Sequence, residues 1–274
     1  VISMKDNILK LVIFSDIHYL DESHNEQYNR KLTKLAVPLF EKLNDEINNH
    51  IKPDLCIYLG DFIEDTNNHD QDIKNFKIIY NKFKSIKVPF YSVLGNHDLR
   101  SMSSRDEIEK IIGRYSTFSI NVKGYHLVFL GLDVKNDLGI AEGGILKAQF
   151  ISQDDLEWLK RDVQKNKLPC IIFNHFGIAE DNMKGNWWFE NCAESALLAN
   201  RNEVKEILKK HNNILGVFSG HQHWTKQIKE ESINYYIVGS LTENINNDNI
   251  PDGVYFEVEI NNQELKIVEK HIKL

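Results

Sequence analysis

Apolar residues along this chain gather in short β-branched runs, and amphipathic stretches of helical period separate one run from the next. That alternation is the mark of βαβ units built around a largely parallel core. The runs predict strands over residues 10–15, 55–59, 89–94, 125–132, 170–173, 214–219 and 235–238. Toward the C-terminus, residues 254–260 and 264–271 alternate apolar and polar side chains on either side of Asn-Asn-Gln, which predicts an antiparallel hairpin. Apolar positions at helical spacing predict helices over 28–49, 73–86, 104–115, 152–166 and 202–211. Ser152, followed by Asp155, has the spacing of an N-cap and fixes one helix start. The stretch 177–200 has no clear period and holds Trp187, Trp188 and Phe189; a loop of that length is expected to be a functional element, here a candidate active-site loop.

Composition narrows the picture. The chain has 274 residues and no repeat, low-complexity tract or Pro/Gly-rich linker, so one domain over 1–274 is expected. Its 33 Lys and Arg against 40 Asp and Glu leave a formal net charge of -7, which repels a polyanion and argues against long nucleic acid as a partner. Cys56, Cys170 and Cys192 show no CxxC spacing, and the first two lie inside apolar runs; they read as buried thiols, not a disulfide framework. No apolar stretch approaches the length of a membrane span, and the first ten residues lack the order of a signal peptide. A cytoplasmic location with no membrane partner is the expectation.

Five polar motifs carry the chemistry, each at the C-terminal end of an apolar run: Asp16-Ile17-His18, Gly60-Asp61, Gly95-Asn96-His97-Asp98, Asn174-His175 and Gly220-His221-Gln222-His223. Ligands of open α/β sheets bind outside the carboxyl ends of the strands, so these distant residues are expected to converge on one rim. Imidazoles mixed with carboxylates, without thiolates, suit manganese, iron or zinc better than calcium or magnesium. Seven candidate ligands exceed the coordination of one ion, whereas two ions sharing a carboxylate account for them and could clamp both oxygens of an in-line displacement. Glycines before Asp61, Asn96 and His221 would let the backbone turn sharply and let a phosphate come close.

The order DxH, GD, GNHD, a strand-end His and GHxH resembles the calcineurin-like metallophosphoesterase superfamily from Asp16 to His223. The resemblance implies a four-layer α/β/β/α sandwich with two mixed sheets. It implies that Asp16, His18 and His223 bind one metal, that Asn96, His175 and His221 bind another, and that Asp61 bridges them. A hydroxide shared by the two ions would then attack phosphorus. His97, beside Asn96 but outside the ligand set, is the candidate general acid, and Asp98 the candidate to orient it.

Other residues have blander readings. His24, His50, His69, His126, His211 and His271 lie outside the motifs and read as surface or packing residues, and Asp133 as a turn residue. Trp187, Trp188, Phe189 and Trp224 form either an aromatic wall for a base or sugar or a small satellite core, with Trp224, next to His223, the better placed for substrate. The run Gly60-Asp61-Phe62-Ile63-Glu64-Asp65 lacks the Arg-Gly that usually follows in protein serine/threonine phosphatases, and the chain lacks the extra basic elements of the nucleases. The GNHD motif looks more like class III cyclic-nucleotide phosphodiesterases. Tyr28-Asn29-Arg30 and Gly239-Ser240-Leu241-Thr242-Glu243 are similar to relatives of the ADP-ribose/CDP-alcohol diphosphatases. A small phosphodiester or nucleoside diphosphate substrate follows; a phosphomonoesterase and a non-catalytic scaffold on the same fold stay open.

Overall fold

The structure is a computed structural model that describes residues 8–21, 30–102, 104–133, 149–261 and 263–274. Tyr28 and Asn29, at the start of the first expected helix, and His24 lie outside the described residues. The first sheet pairs β1 (Leu9–Phe14), β2 (Leu55–Tyr58) and β3 (Phe90–Ser92) in parallel. The second comprises β4 (Phe118–Val122), β5 (Tyr125–Phe129), β6 (Cys170–Phe173), β7 (Ile214–Ser219), β8 (Lys226–Glu230) and β9 (Ile233–Ile237). The expected hairpin, β10 (Val254–Asn261) and β11 (Glu264–His271), joins the first sheet antiparallel to β1. The strand orders are β11-β10-β1-β2-β3 and β4-β5-β6-β7-β9-β8, so both sheets are mixed.

Alternation along the strands decides the layering. Leu9, Leu11 and Ile13 of β1, Leu55 and Ile57 of β2, and Phe256 and Val258 of β10 cluster with Leu127 and Phe129 of β5 and Ile171 and Phe173 of β6. That cluster contains no helical residue, so it is the face where one sheet meets the other. The intervening side chains, Val12, Phe14, Cys56, Tyr58, Val128, Cys170 and Ile172, pack instead with helical residues. Those helices are α1 (Ala36–Asp45), α2 (His69–Phe83), α4 (Arg105–Ile112), α5 (Gln153–Lys165) and α6 (Arg201–Leu208); a one-turn α3 (Asn96–Leu99) sits between α2 and α4. Strands covered on both faces need apolar residues at successive positions, which is why the runs were continuous. Cys56 and Cys170 are buried free thiols within this core.

Local differences from the sequence reading have local causes. The first helix runs as a 3-10 turn at Thr33–Leu35, then α1, then a π-helical turn at Glu46–Ile51 that ends where Lys52 turns left-handed. Residues 118–122 and 226–230 form the edge strands β4 and β8, which lack a run of buried apolar residues. As expected, the Ser152 side chain accepts the Asp155 N–H and caps α5.

Candidate metal centre

The strand ends of both sheets are laced together by their own backbones. Asp16 N–H donates to Gly60 O at 3.1 Å, His18 N–H to Asp61 O at 3.1 Å, and Gly220 N–H to His175 O at 2.9 Å. Ser240 Oγ–H donates to Asp16 O at 2.7 Å. The glycines serve this lacing. A Cβ on Gly95 would lie 2.1 Å from Asp61 Oδ1, and one on Gly220 would lie 2.0 Å from Ser15 Oγ, so the close approach is between neighbouring loops rather than to a phosphate. Asp16, His18, Asp61, His221 and His223 all have φ between 46 and 66°. A left-handed non-glycine residue costs about 1 kcal/mol or more. Five on one rim cost about 5 kcal/mol, comparable with the net stability of a small domain, and strain of that size persists where a site requires it.

The side chains so placed converge. Asp16, His18, Asp61 and His223 form one group with ligand atoms within 4.8 Å of one another, and Asp61, His175 and His221 form a second, with Asp61 common to both. Asn96 Oδ1 lies 3.2 Å from His175 Nε2 and joins the second group. Each carboxylate divides its oxygens. Asp16 Oδ2 accepts the His221 N–H at 3.1 Å and Asp61 Oδ1 accepts the His97 N–H at 2.9 Å. Asp16 Oδ1 and Asp61 Oδ2 are buried and make no good hydrogen bond among the described residues.

The imidazoles are divided in the same way. His175 Nδ1 donates to Leu59 O at 2.7 Å, His223 Nδ1 to Glu243 Oε2 at 2.7 Å and His221 Nε2 to Ser195 O at 3.0 Å, and His18 Nδ1 lies 2.9 Å from Glu64 Oε2. Such outer contacts fix the tautomer and turn the remaining nitrogen's lone pair inward. His18 Nε2 and His223 Nε2 then face each other at 2.9 Å beside Asp16 Oδ1, so that a proton or a metal ion must lie between them. This donor set fits divalent ions.

Charge points the same way. Burial opposes the charge of His175 and His223, yet Asp61 outweighs it at the first, and Asp16 with Glu243 at the second, lifting both to about 9. Against that same burial, the imidazoles hold Asp16 and Asp61 far below the usual carboxylate range. Burial and the His175 charge push His221 down to about 3.

His97 lies at the edge of this centre, its ring 4.8 Å from that of His18 and edge-on to it. Its Nδ1 meets Asp65 Oδ1 at 2.6 Å, and Asp65 also takes Arg100 Nη1 at 2.6 Å. Asp98, expected to orient His97, instead accepts the backbone N–H groups of Asp61, Phe62, Ile63 and Gly95 at 2.8 to 3.3 Å. Its place three residues past Gly95 puts the carboxylate back over the turn, where it clamps the Asp61 loop. Burial first, then Lys31 and Arg100 against the pull of Glu64, hold the His97 imidazole well below its ordinary value.

The segment 177–200 packs against the GHxH motif. Phe176, just before it, stacks on His221 at 3.8 Å, and Phe189 lies 5.0 Å from the same ring. Trp188 approaches His223 at 5.8 Å, with its Nε1 3.2 Å from Glu243, while Trp187 is 55% exposed and meets Trp188 edge-on. Trp224, favoured by sequence adjacency, packs with Phe189 on the small cluster of Met183, Ala196 and Leu197. Glu64, Asp65, Lys31 and Glu243 are the site neighbours that sequence reasoning did not single out.

Known proteins share parts of this sequence and its fold. The chain is 25% identical to a "Probable glycerophosphodiester phosphodiesterase" of Arcobacter nitrofigilis, over 63% of its own length and 57% of that protein's. It is 25% identical to a "Probable cyclic nucleotide phosphodiesterase" of Xenorhabdus bovienii, over 78% of each chain. A dimetal phosphatase from Danio rerio shares the fold with a TM-score of 0.75 over 96% of both chains, at 14% identity. The calcineurin-like phosphoesterase family profile matches residues 9–225, which include all seven candidate ligands, and this chain therefore belongs to that family of metal-binding hydrolases.

Proposed function

We propose that this chain hydrolyses a small phosphodiester or nucleoside diphosphate-type substrate at a dinuclear centre held by Asp16, His18 and His223 on one side, Asn96, His175 and His221 on the other, and Asp61 between. The observation that carries the reading is the division of labour within the side chains: three imidazoles each have one nitrogen hydrogen-bonded to an oxygen, that of His18 lies 2.9 Å from Glu64, and two buried carboxylate oxygens have no hydrogen-bond partner among the described residues. Two divalent ions bound there, such as manganese, iron or zinc, would activate a water and draw charge from the phosphoryl oxygens.

The protein's own part is positional. The Asp16 and Asp61 loops are pinned by backbone hydrogen bonds, so the donor atoms need no rearrangement when a ligand arrives. His97, held by Asp65, is the candidate proton donor to the leaving oxygen. The indoles of Trp187 and Trp188 offer an apolar wall beside His223 for a base or sugar.

Turnover of bis-p-nitrophenyl phosphate with manganese added, abolished by chelation and restored by metal, is the expected result. A clear preference for p-nitrophenyl phosphate would replace this reading with a phosphomonoesterase. Tight binding of two metal equivalents with no turnover of either ester would leave a non-catalytic scaffold.

A further inference from the structure

We propose that Lys31 contacts the substrate, its ammonium donating a hydrogen bond to a phosphoryl or leaving-group oxygen beside His97. The inference rests on the phosphohydrolase reading above and adds to its machinery a residue outside the five motifs.

Lys31 is the second residue of its described stretch, yet it is only 7% exposed. Burying an ammonium costs several kcal/mol unless it is paired. One partner is present, Glu64 Oε2 at 2.7 Å. A purely structural ion pair would end there. The same Nζ lies 3.2 Å from His97 Nε2, the ring nitrogen opposite the one held by Asp65. An ammonium can only donate, so without substrate Nε2 accepts from Lys31, and it becomes free to carry a proton when Lys31 turns to a substrate oxygen.

An ammonium has three N–H donors, and Glu64 and His97 account for two. The third has no hydrogen-bonding partner among the described residues, with the Trp188 ring 5.1 Å from Nζ on one side. Glu64 Oε2 is also 2.9 Å from His18 Nδ1, so the ammonium sits one carboxylate away from a metal-ligating imidazole. Its third N–H, unpartnered among the described residues, is placed to meet an oxyanion bound beside His97.

The backbone holds it there. Lys31 forms an isolated antiparallel bridge with Glu243, Leu32 N–H donates to Thr242 O at 2.9 Å, and Glu243 in turn holds His223. The first connection is thereby fastened to the loop that positions a ligand. Arg100, another cation at this edge of the site, is committed to Asp65. Lys31 supplies positive charge to that edge from a different part of the chain.

The test uses inorganic phosphate, the smallest oxyanion with the right chemistry, on zinc-loaded protein. K31M should retain two zinc equivalents and bind phosphate about tenfold more weakly or worse, the loss typical of a hydrogen bond to a charged group, whereas K31R should recover most of the affinity. Wild-type affinity in zinc-replete K31M overturns the proposal. Because K31M leaves Glu64 unpaired and could unfold, a second measurement uses the wild type alone: the ζ-nitrogen NMR signal of Lys31, identified by its absence in K31R, should shift on phosphate addition. An unmoved signal at saturating phosphate overturns the proposal equally. Turnover of bis-p-nitrophenyl phosphate by the wild type is read alongside; its absence would sink the hydrolase reading, while phosphate binding still decides on Lys31.

Discussion

Asp61 differs from the other acidic side chains of the rim in being shared. One oxygen takes the His97 N–H, the other faces His18 and His175 at 3.7 and 3.3 Å, and the residue belongs to two of the three candidate ligand groups, the third being His18, Glu64 and His97. Asp61→Ala is therefore expected to lose both ions and nearly all activity; two equivalents of metal in the purified variant would contradict the bridging role. His97 belongs to neither of the two groups that contain Asp61, so His97→Ala should keep its metals and slow turnover by about 10²- to 10⁴-fold, most for esters with poor leaving groups. Equal slowing across a leaving-group series would remove the proton-donor role. The seven candidate ligands were legible as a set because metal chemistry restricts residue types at strand ends. Their supporting partners were not. Glu64 and Asp65 are a pair of acidic residues in a turn until the fold turns one toward His18 and the other toward His97. Asp98 looked like a partner for its sequence neighbour, but its position in the Gly95 turn gives it four backbone donors instead.

At the scale of elements, burial on both faces is what made β1, β2, β6 and β7 readable, since each is apolar along nearly its whole length, with Lys10 of β1 and Ser219 of β7 the polar exceptions. The edge strand β8, KQIKE, has one apolar residue among charged ones, and its lysines discourage pairing with another chain. Its place in the sheet comes from the antiparallel ladder with β9, which no local pattern announces. The helix starts were legible only where a cap was. Ser152→Ala should cost about 1 kcal/mol through the lost N-cap on α5, which in a chain of this size lowers the melting temperature by about 2 to 4 °C. The residues of α5 pair with Arg105, Ser119, His126 and Glu203, none of them at the metal centre, so activity per folded molecule should be unchanged. A loss of activity exceeding the loss of folded protein would mean that α5 bears on the site directly.

Across the whole molecule, the candidate ligands come from the ends of β1, β2 and β3 in one sheet and of β6 and β7 in the other, so ions bound there would tie the two sheets together. Binding to the native state alone stabilises it by mass action, about 4 kcal/mol per site at a thousandfold excess over the dissociation constant. The pH dependence follows from the two lifted imidazoles. In the metal-free protein His175 and His223 carry protons up to about 9, above their ordinary value, so their interaction with Asp61 and Asp16 stabilises the fold below about pH 6.5 and is lost as the pH rises through 9. Each metal must displace one of these protons, so the apparent affinity of each site rises with pH over that window, by up to about one decade per unit. The two effects add. Metal-free protein should weaken and metal-loaded protein strengthen between pH 6.5 and 8.5, so the gap between melting temperatures with manganese and with chelator should widen as pH rises. Calorimetry in buffers of different ionisation enthalpy at pH 7.5 should show about two protons released as the two sites fill. A melting gap that stays constant or narrows with pH, or metal binding without proton release, would mean that the ions are not held by these imidazoles.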